Sequence, residues 1–297
     1  MKITFLVFLM FSFFSCKVFQ PNSLNLNKVR WISGSINCNE NKDPLIQVIR
    51  YNATTFILRQ NKCINYEAPF LFLFLGKKKA LLMDTGATED ESKFPLYKTV
   101  KKIITEWEKM VNDSMELVVA HTHAHNDHTA GDIQFKNKVR VSVLGLKVSD
   151  ITSYFTMENW PSQNGQIDLG NRIIEIIPIP GHQQASIAVY DYTTKILLSG
   201  DNFYPGRLYV RDWSAYKLSM QRLVDFGSAR RISYILGNHI EMTNVDGKDY
   251  PTGTTHQPEE HILPLTFKDL LELNKALQIA GDTPKYEIHK NFIIFPK

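Results

Sequence analysis

The chain has 297 residues, 43% of them apolar and 22% charged, with a formal net charge of +4 at pH 7. That apolar share supplies a buried core and excludes an intrinsically disordered chain. The charge is small for the length, and its basic clusters (Lys77, Lys78 and Lys79; Lys101 and Lys102; Arg230 and Arg231) are short and scattered, which argues against nucleic acid as a partner.

The amino terminus reads as an export signal. Lys2 precedes an apolar run over residues 3–14, too short to span a bilayer but of the length of a signal-peptide core. The run ends in Phe13, Phe14, Ser15 and Cys16, which is similar to a bacterial lipobox. Residues 1–15 are therefore expected to be a signal peptide of lipoprotein type, with lipid on Cys16 the only membrane contact and the bacterial cell envelope the location. Residues 16–42, rich in Asn, Ser and Lys, suit a tether or irregular lead-in, and residues 43–297 are expected to form one folded domain. Setting Cys16 aside leaves Cys38 and Cys63, an even pair in an oxidising compartment. Two readings stand: two buried thiols, or one disulfide closing a loop of roughly 26 residues and worth about 3 kcal/mol in the chain-entropy model.

Residues 46–51 (IQVIRY), 54–60 (TTFILRQ), 70–75 (FLFLFL) and 80–83 (ALLM) are short, β-branched or aromatic, and separated by turn signals. They predict an antiparallel meander. Residues 98–111 place Val100, Ile103, Ile104, Trp107 and Val111 at helical spacing. Strand and helix then alternate, with strands at 117–120, 173–177, 196–199 and 233–236, helices at 214–226 and 267–280, and a final strand or strand pair within 285–295. Two strand-rich halves, each with helices, predict an α/β chain of two packed sheets covered on their outer faces by helices.

The densest chemistry lies in residues 121–131, HTHAHNDHTAG. His123 and His125 are two apart, so they cannot share a helix face and suit a loop that turns both imidazoles onto one ion. Asp127 and His128 are adjacent and can serve a second. Imidazole and carboxylate without thiolate fit zinc first, with iron and manganese as alternatives. Every further candidate follows a short apolar strand: Asp84 after 80–83, His182 after 173–177, Asp201 after 196–199 and His239 after 233–236. Ligands at the carboxyl ends of strands converge on one sheet edge, where α/β proteins carry their sites.

Taken together, MDTG with Asp84, THAHNDHTAG, PGH with His182, SGD with Asp201 and GNH with His239 resemble the metallo-β-lactamase superfamily. The resemblance implies a four-layer αββα sandwich of two mixed sheets. It implies one zinc on His123, His125 and His182, a second on Asp127, His128 and His239, Asp201 bridging both, and Asp84 supporting the ligand loops. Two divalent cations, two carboxylates and a bridging hydroxide leave such a site about +1, an electrophile with its nucleophile already in place. The implied reaction is hydroxide attack on the carbonyl of a small-molecule substrate, with Asp127 as the catalytic residue that orients the hydroxide and carries its proton.

Lactam hydrolases of the superfamily usually lack the equivalent of either His128 or Asp201, and this chain has both. Ester, thioester and lactone therefore come before lactam, and the ligand set is similar to that of glyoxalase II, although PGHQQAS departs from the glyoxalase PGHTxGH. The alternatives are a β-lactamase-type enzyme, a persulfide dioxygenase with one iron, and a lipoprotein that keeps the fold as a binding surface. Tyr204 and Arg207, just past Asp201, are candidates to meet an anionic group of the substrate. Residues 246–261 are turn-rich and expected to overhang the cleft, with His256 as a substrate contact.

Overall fold

The computed structural model describes residues 23–297, so the expected signal peptide and the expected lipid attachment at Cys16 lie outside the described residues. The meander is there: β1 (Ile46–Asn52), β2 (Thr55–Gln60), β3 (Phe70–Leu75) and β4 (Lys79–Met83) pair antiparallel in sequence order. After α1 (Leu96–Val111), the strand β5 (Glu116–Ala120) adds parallel to β4. Past the short helix α2 (Asn126–Thr129), β6 (Val141–Val143) completes a first sheet of six strands.

Helix α3 (Val148–Phe155) crosses to the second sheet. That sheet contains β7 (Gly165–Asp168), β8 (Ile173–Pro178), β9 (Ile187–Asp191) and β10 (Ile196–Gly200), and later β12 (Tyr234–Gly237) and β13 (Pro264–Leu265). Its order is β13, β12, β10, β9, β8, β7, and β12 runs parallel to β10. Between them come β11 (Arg207–Val210) and α4 (Trp213–Ser228), and after them α5 (Phe267–Ala280), β14 (Glu287–Ile288) and β15 (Ile293–Pro296). The strands β11, β15 and β14 form a small third sheet.

Burial on both faces explains the unbroken apolar runs. In β3, Phe70, Phe72 and Phe74 point between the two large sheets, where they meet Ile174, Ile176, Ile187 and Leu198. Leu71, Leu73 and Leu75 point the other way, to Val100 and Ile104 of α1. Each such side chain contributes about 1.5–3 kcal/mol by leaving water. On the far side, Leu223 of α4 and Leu270, Leu273 and Leu277 of α5 cover the outer face of the second sheet. The result is an α/β sandwich of two mixed sheets with helices on both outer faces.

The lead-in is irregular over residues 23–42, with two short 3-10 turns, but its described part packs against the domain rather than hanging free. Leu26 is buried between the sheets and Trp31 meets Phe70 edge-on at 4.7 Å. Cys38 and Cys63 are joined as a disulfide, which decides between the two readings of that pair. Among the described residues no helix is long and apolar enough to cross a membrane.

Candidate metal centre

The strands β4, β5, β8, β10 and β12 all end at the same edge of the sandwich. Parallel pairing of β4 with β5 and of β10 with β12, and two antiparallel steps from β10 through β9 to β8, give them that common direction. Asp84, His123, His182, Asp201 and His239 follow their ends and are buried. Gly181, before His182, has φ +139°, and a Cβ there would lie 2.5 Å from Tyr216 Cα, so the turn needs the glycine of PGH.

The candidate ligands fall into two groups: His123, His125 and His182, and Asp127, His128, Asp201 and His239. In the first, Nδ1 of His125 lies 3.0 Å from Nε2 of His123 and 3.1 Å from Nε2 of His182. In the second, Asp127 Oδ2 lies 3.1 Å from His128 Nε2 and 3.3 Å from His239 Nε2. Asp201 stands between the groups, with Oδ2 3.7 Å from His123 Nε2 and 3.4 Å from His128 Nε2, and Oδ1 3.4 Å from His239 Nε2.

Partners on the outer side of four rings leave Nε2 for the centre. Nδ1 of His182 meets the Tyr209 carbonyl at 2.8 Å, Nδ1 of His239 the Glu67 carbonyl at 3.0 Å, Nδ1 of His128 the Asp84 carboxylate at 3.2 Å, and Nδ1 of His123 the Thr122 hydroxyl at 3.2 Å. Such contacts fix the tautomer and aim the lone pair. Asp84 itself holds a left-handed φ of +67°. Its carboxylate also accepts from Thr122 N at 2.7 Å, Thr122 Oγ1 at 2.9 Å and Asn238 Nδ2 at 2.7 Å, which offsets the strain and ties three loops together.

Electrostatics separate the two groups. Burial pushes His123 well below the ordinary histidine value, lowers His125 and takes His182 down to about 4, so these three are neutral donors at pH 7. Burial opposes charge on His128 and His239 too, but Asp201 and Asp127 outweigh it, lifting His128 well above its usual range and His239 to about 9. Burial likewise opposes ionisation of Asp127 and Asp201, and the His128 and His239 charges hold both well below the usual carboxylate range.

The donor set fits divalent metal. Three imidazole nitrogens, Nδ1 of His125 and Nε2 of His123 and of His182, converge on one point. Asp201 Oδ1 is buried without a hydrogen-bond partner, the kind of orphan that a cation satisfies. One cluster of three imidazoles and one of two imidazoles and two carboxylates, both free of thiolate, suit a divalent cation of borderline hardness.

Of the other three candidates, Tyr204 and Arg207 lie next to His239 and His256 lies further off. Arg207 lines the small cavity beside His239, where its guanidinium is held by the protein itself: it pairs with Glu241 at 2.7 Å and with Asp249, and donates to the Tyr250 carbonyl and the Tyr209 hydroxyl. Tyr204 is buried, and its hydroxyl donates to the Arg207 carbonyl at 2.6 Å. Both therefore brace the loop behind His239, and the carboxylates that occupy the arginine come from the segment after the last ligand. His256 forms an antiparallel bridge with Gly34 of the lead-in. Residues 251–254 of the overhanging segment do reach His239, closing a small cavity of about 20 Å³ together with Lys62, Tyr66 and Gln257. The backbone acceptors Tyr209 and Glu67 were not singled out in the sequence, because every residue offers a carbonyl. His121 of the motif faces away from both groups, with Nε2 2.8 Å from Asp132.

The fold and the site agree with what the chain resembles. It is 26% identical over 173 residues to acyl-coenzyme A thioesterase MBLAC2 of Homo sapiens, covering 54% of this chain and 61% of that protein. It is 29% identical over 87 residues to hydroxyacylglutathione hydrolase of Nostoc punctiforme, covering 29% and 34%. The chain thus spans less than two thirds of either relative. A metallo-beta-lactamase from Pontibacter korlensis superposes with a TM-score of 0.50 at 17% identity over 78% of this chain and 99% of its own, a likeness of fold alone. The family model for the metallo-beta-lactamase superfamily matches residues 69–237, a stretch that holds every candidate ligand except His239, which follows two residues later. With more than half its length matched, the chain belongs to the metallo-beta-lactamase superfamily.

Proposed function

We propose that this chain is a dinuclear metal-dependent hydrolase of a carbonyl-containing bond, with thioester first, ester and lactone next and lactam last. The observation that carries the reading is the convergence of seven side chains in two adjoining groups at one sheet edge. His123, His125 and His182 would hold one cation, Asp127, His128 and His239 a second, and Asp201 would face both. Zinc is the first choice, with iron or manganese as alternatives. Divalent cations in such a site supply Lewis acidity, bringing a water toward deprotonation near neutral pH and polarising a carbonyl oxygen.

The chain's own residues do the rest. Asp127 is 24% exposed, so it faces the cleft while still touching His128 and His239. From there it orients the attacking water and passes its proton to the leaving group. Asp84, Thr122, Tyr209 and Glu67 keep the imidazoles aimed, so no reorganisation is needed at the moment of reaction. The presence of both His128 and Asp201 supports a substrate other than lactam, and the names of the two relatives support a thioester. The disulfide supports an oxidising location, and export with lipid on Cys16 belongs to the same reading.

Metal analysis of the purified full chain, with a panel of thioester, ester, lactone, lactam and persulfide substrates, tests this. Two ions per chain and thioester turnover are expected, and Asp127→Asn is expected to lose at least about 100-fold in kcat with an unchanged far-UV spectrum. One iron per chain with oxygen uptake on a persulfide turns the reading to dioxygenase. Metal-loaded protein that hydrolyses nothing in the panel turns it to a binding lipoprotein.

A further inference from the structure

The disulfide lies beside the second group of ligands rather than in a remote loop. Cys63 sits in residues 61–69, the connection from β2 to β3, and the carbonyl of Glu67 in that connection receives Nδ1 of His239 at 3.0 Å. Side-chain bonds wind the connection tightly: Cys63 N donates to Asn61 Oδ1 at 2.8 Å and Glu67 N to Asn65 Oδ1 at 3.0 Å. Its tether runs back to the lead-in, where Asn61 Nδ2 donates to Asn41 Oδ1 and the Pro44 carbonyl, both at 3.0 Å.

The lead-in is in turn wedged between this connection and the segment over His239. Gly34 has φ +74°, and a Cβ there would lie 2.0 Å from the Thr255 carbonyl oxygen and 2.9 Å from Lys62 Cβ, so the strand of chain touches both sides. Gln257 N donates to the Ser33 carbonyl at 2.8 Å, and Arg59 joins the Ile32 carbonyl to Glu260. Among the described residues nothing of this kind reaches the first group. His182 is aimed by Tyr209 of β11, which pairs with β15, and His123 by its neighbour Thr122.

We propose that the Cys38–Cys63 disulfide is a positioning device for His239. It fixes the connection whose Glu67 carbonyl sets the tautomer and direction of that imidazole, and so governs the cation at Asp127, His128 and His239 while leaving the position at His123, His125 and His182 alone. The inference rests on the two-metal reading above. Outer contacts of this type change metal affinity by roughly 10–100-fold when lost.

The test is a chelator competition titration with Zn²⁺ on the full chain, comparing the oxidised protein with two altered forms. In one, a phosphine reduces the bridge, the half-buried thiols are blocked with iodoacetamide, and the reductant is removed; in the other, both cysteines carry Cys→Ser. In each altered form one equivalent is expected to hold within about twofold and the other to weaken by roughly 10–100-fold. Asn65→Ala, which frees Glu67 N and leaves the bridge intact, is expected to give the same selective loss and covers the case in which a cysteine variant does not fold. Two equivalents unchanged by reduction, or both weakened together, overturn the inference and leave the hydrolase reading standing. Oxidised protein that binds no Zn²⁺ overturns both.

Discussion

Oδ2 of Asp84 lies 3.2 Å from Nδ1 of His128 and takes donors from Thr122 and Asn238 as well, so one buried oxygen ties the ends of β4, β5 and β12 together. Asp84→Ala strands four buried donors at once. A stability loss of about 3 kcal/mol in urea unfolding is expected, with zinc affinity lowered roughly 10–100-fold. A variant within 1 kcal/mol of the wild type would show that the ligand loops hold without this residue.

Arg207 offers a second measurement. Because its guanidinium pairs with Glu241 and Asp249, Arg207→Met leaves two partly buried carboxylates without a cation. The expected outcome is about 3 kcal/mol of lost stability and an unchanged ratio of KM between anionic and neutral substrates. A selective rise in KM for anionic substrates would restore the sequence-based expectation that this residue meets the substrate.

Lys62 gives the pH dependence. It is 3% exposed, donates to the Tyr66 carbonyl at 3.2 Å and lies 3.9 Å from Glu260. Burial, reinforced by the Arg59 charge, pushes its ammonium down to about 8. An unfolded lysine titrates near 10.4, so between about pH 8 and 10 the unfolded chain binds more protons and stability rises with pH. Lys62→Met removes that term. The wild type is expected to gain on the variant by about 2 kcal/mol between about pH 7.5 and 9.5 in urea melts. A constant difference across that range would refute the depressed ammonium.

Much of this was legible in the sequence because the informative residues sit next to informative strands. The FLFLFL run of β3 announces a strand buried on both sides, and each apolar strand that ends in a histidine or aspartate announces the shared edge. The short strands β6, β7 and β11 were not read, since three or four residues carry too little periodicity to separate strand from loop. Helix α3 and strand β9 were missed as well, having no turn signal clear enough to bound them. The ion pairs of Arg207 are illegible for a different reason. Its partners Glu241 and Asp249 lie 34 and 42 positions further on, and their proximity follows only from how the final segment folds back. The contacts that aim His182 and His239 go to backbone carbonyls, for which no residue type is a signal.

Each ligand group draws on both large sheets: the loop after β5 gives His123, His125, Asp127 and His128, while β8, β10 and β12 give His182, Asp201 and His239. A cation seated in either group would therefore be a rivet through the seam of the sandwich, and prying the layers apart would first mean tearing it out. Loaded protein should then outlast stripped protein chiefly through a slower rate of opening, a durability set by the unfolding barrier rather than by the equilibrium alone.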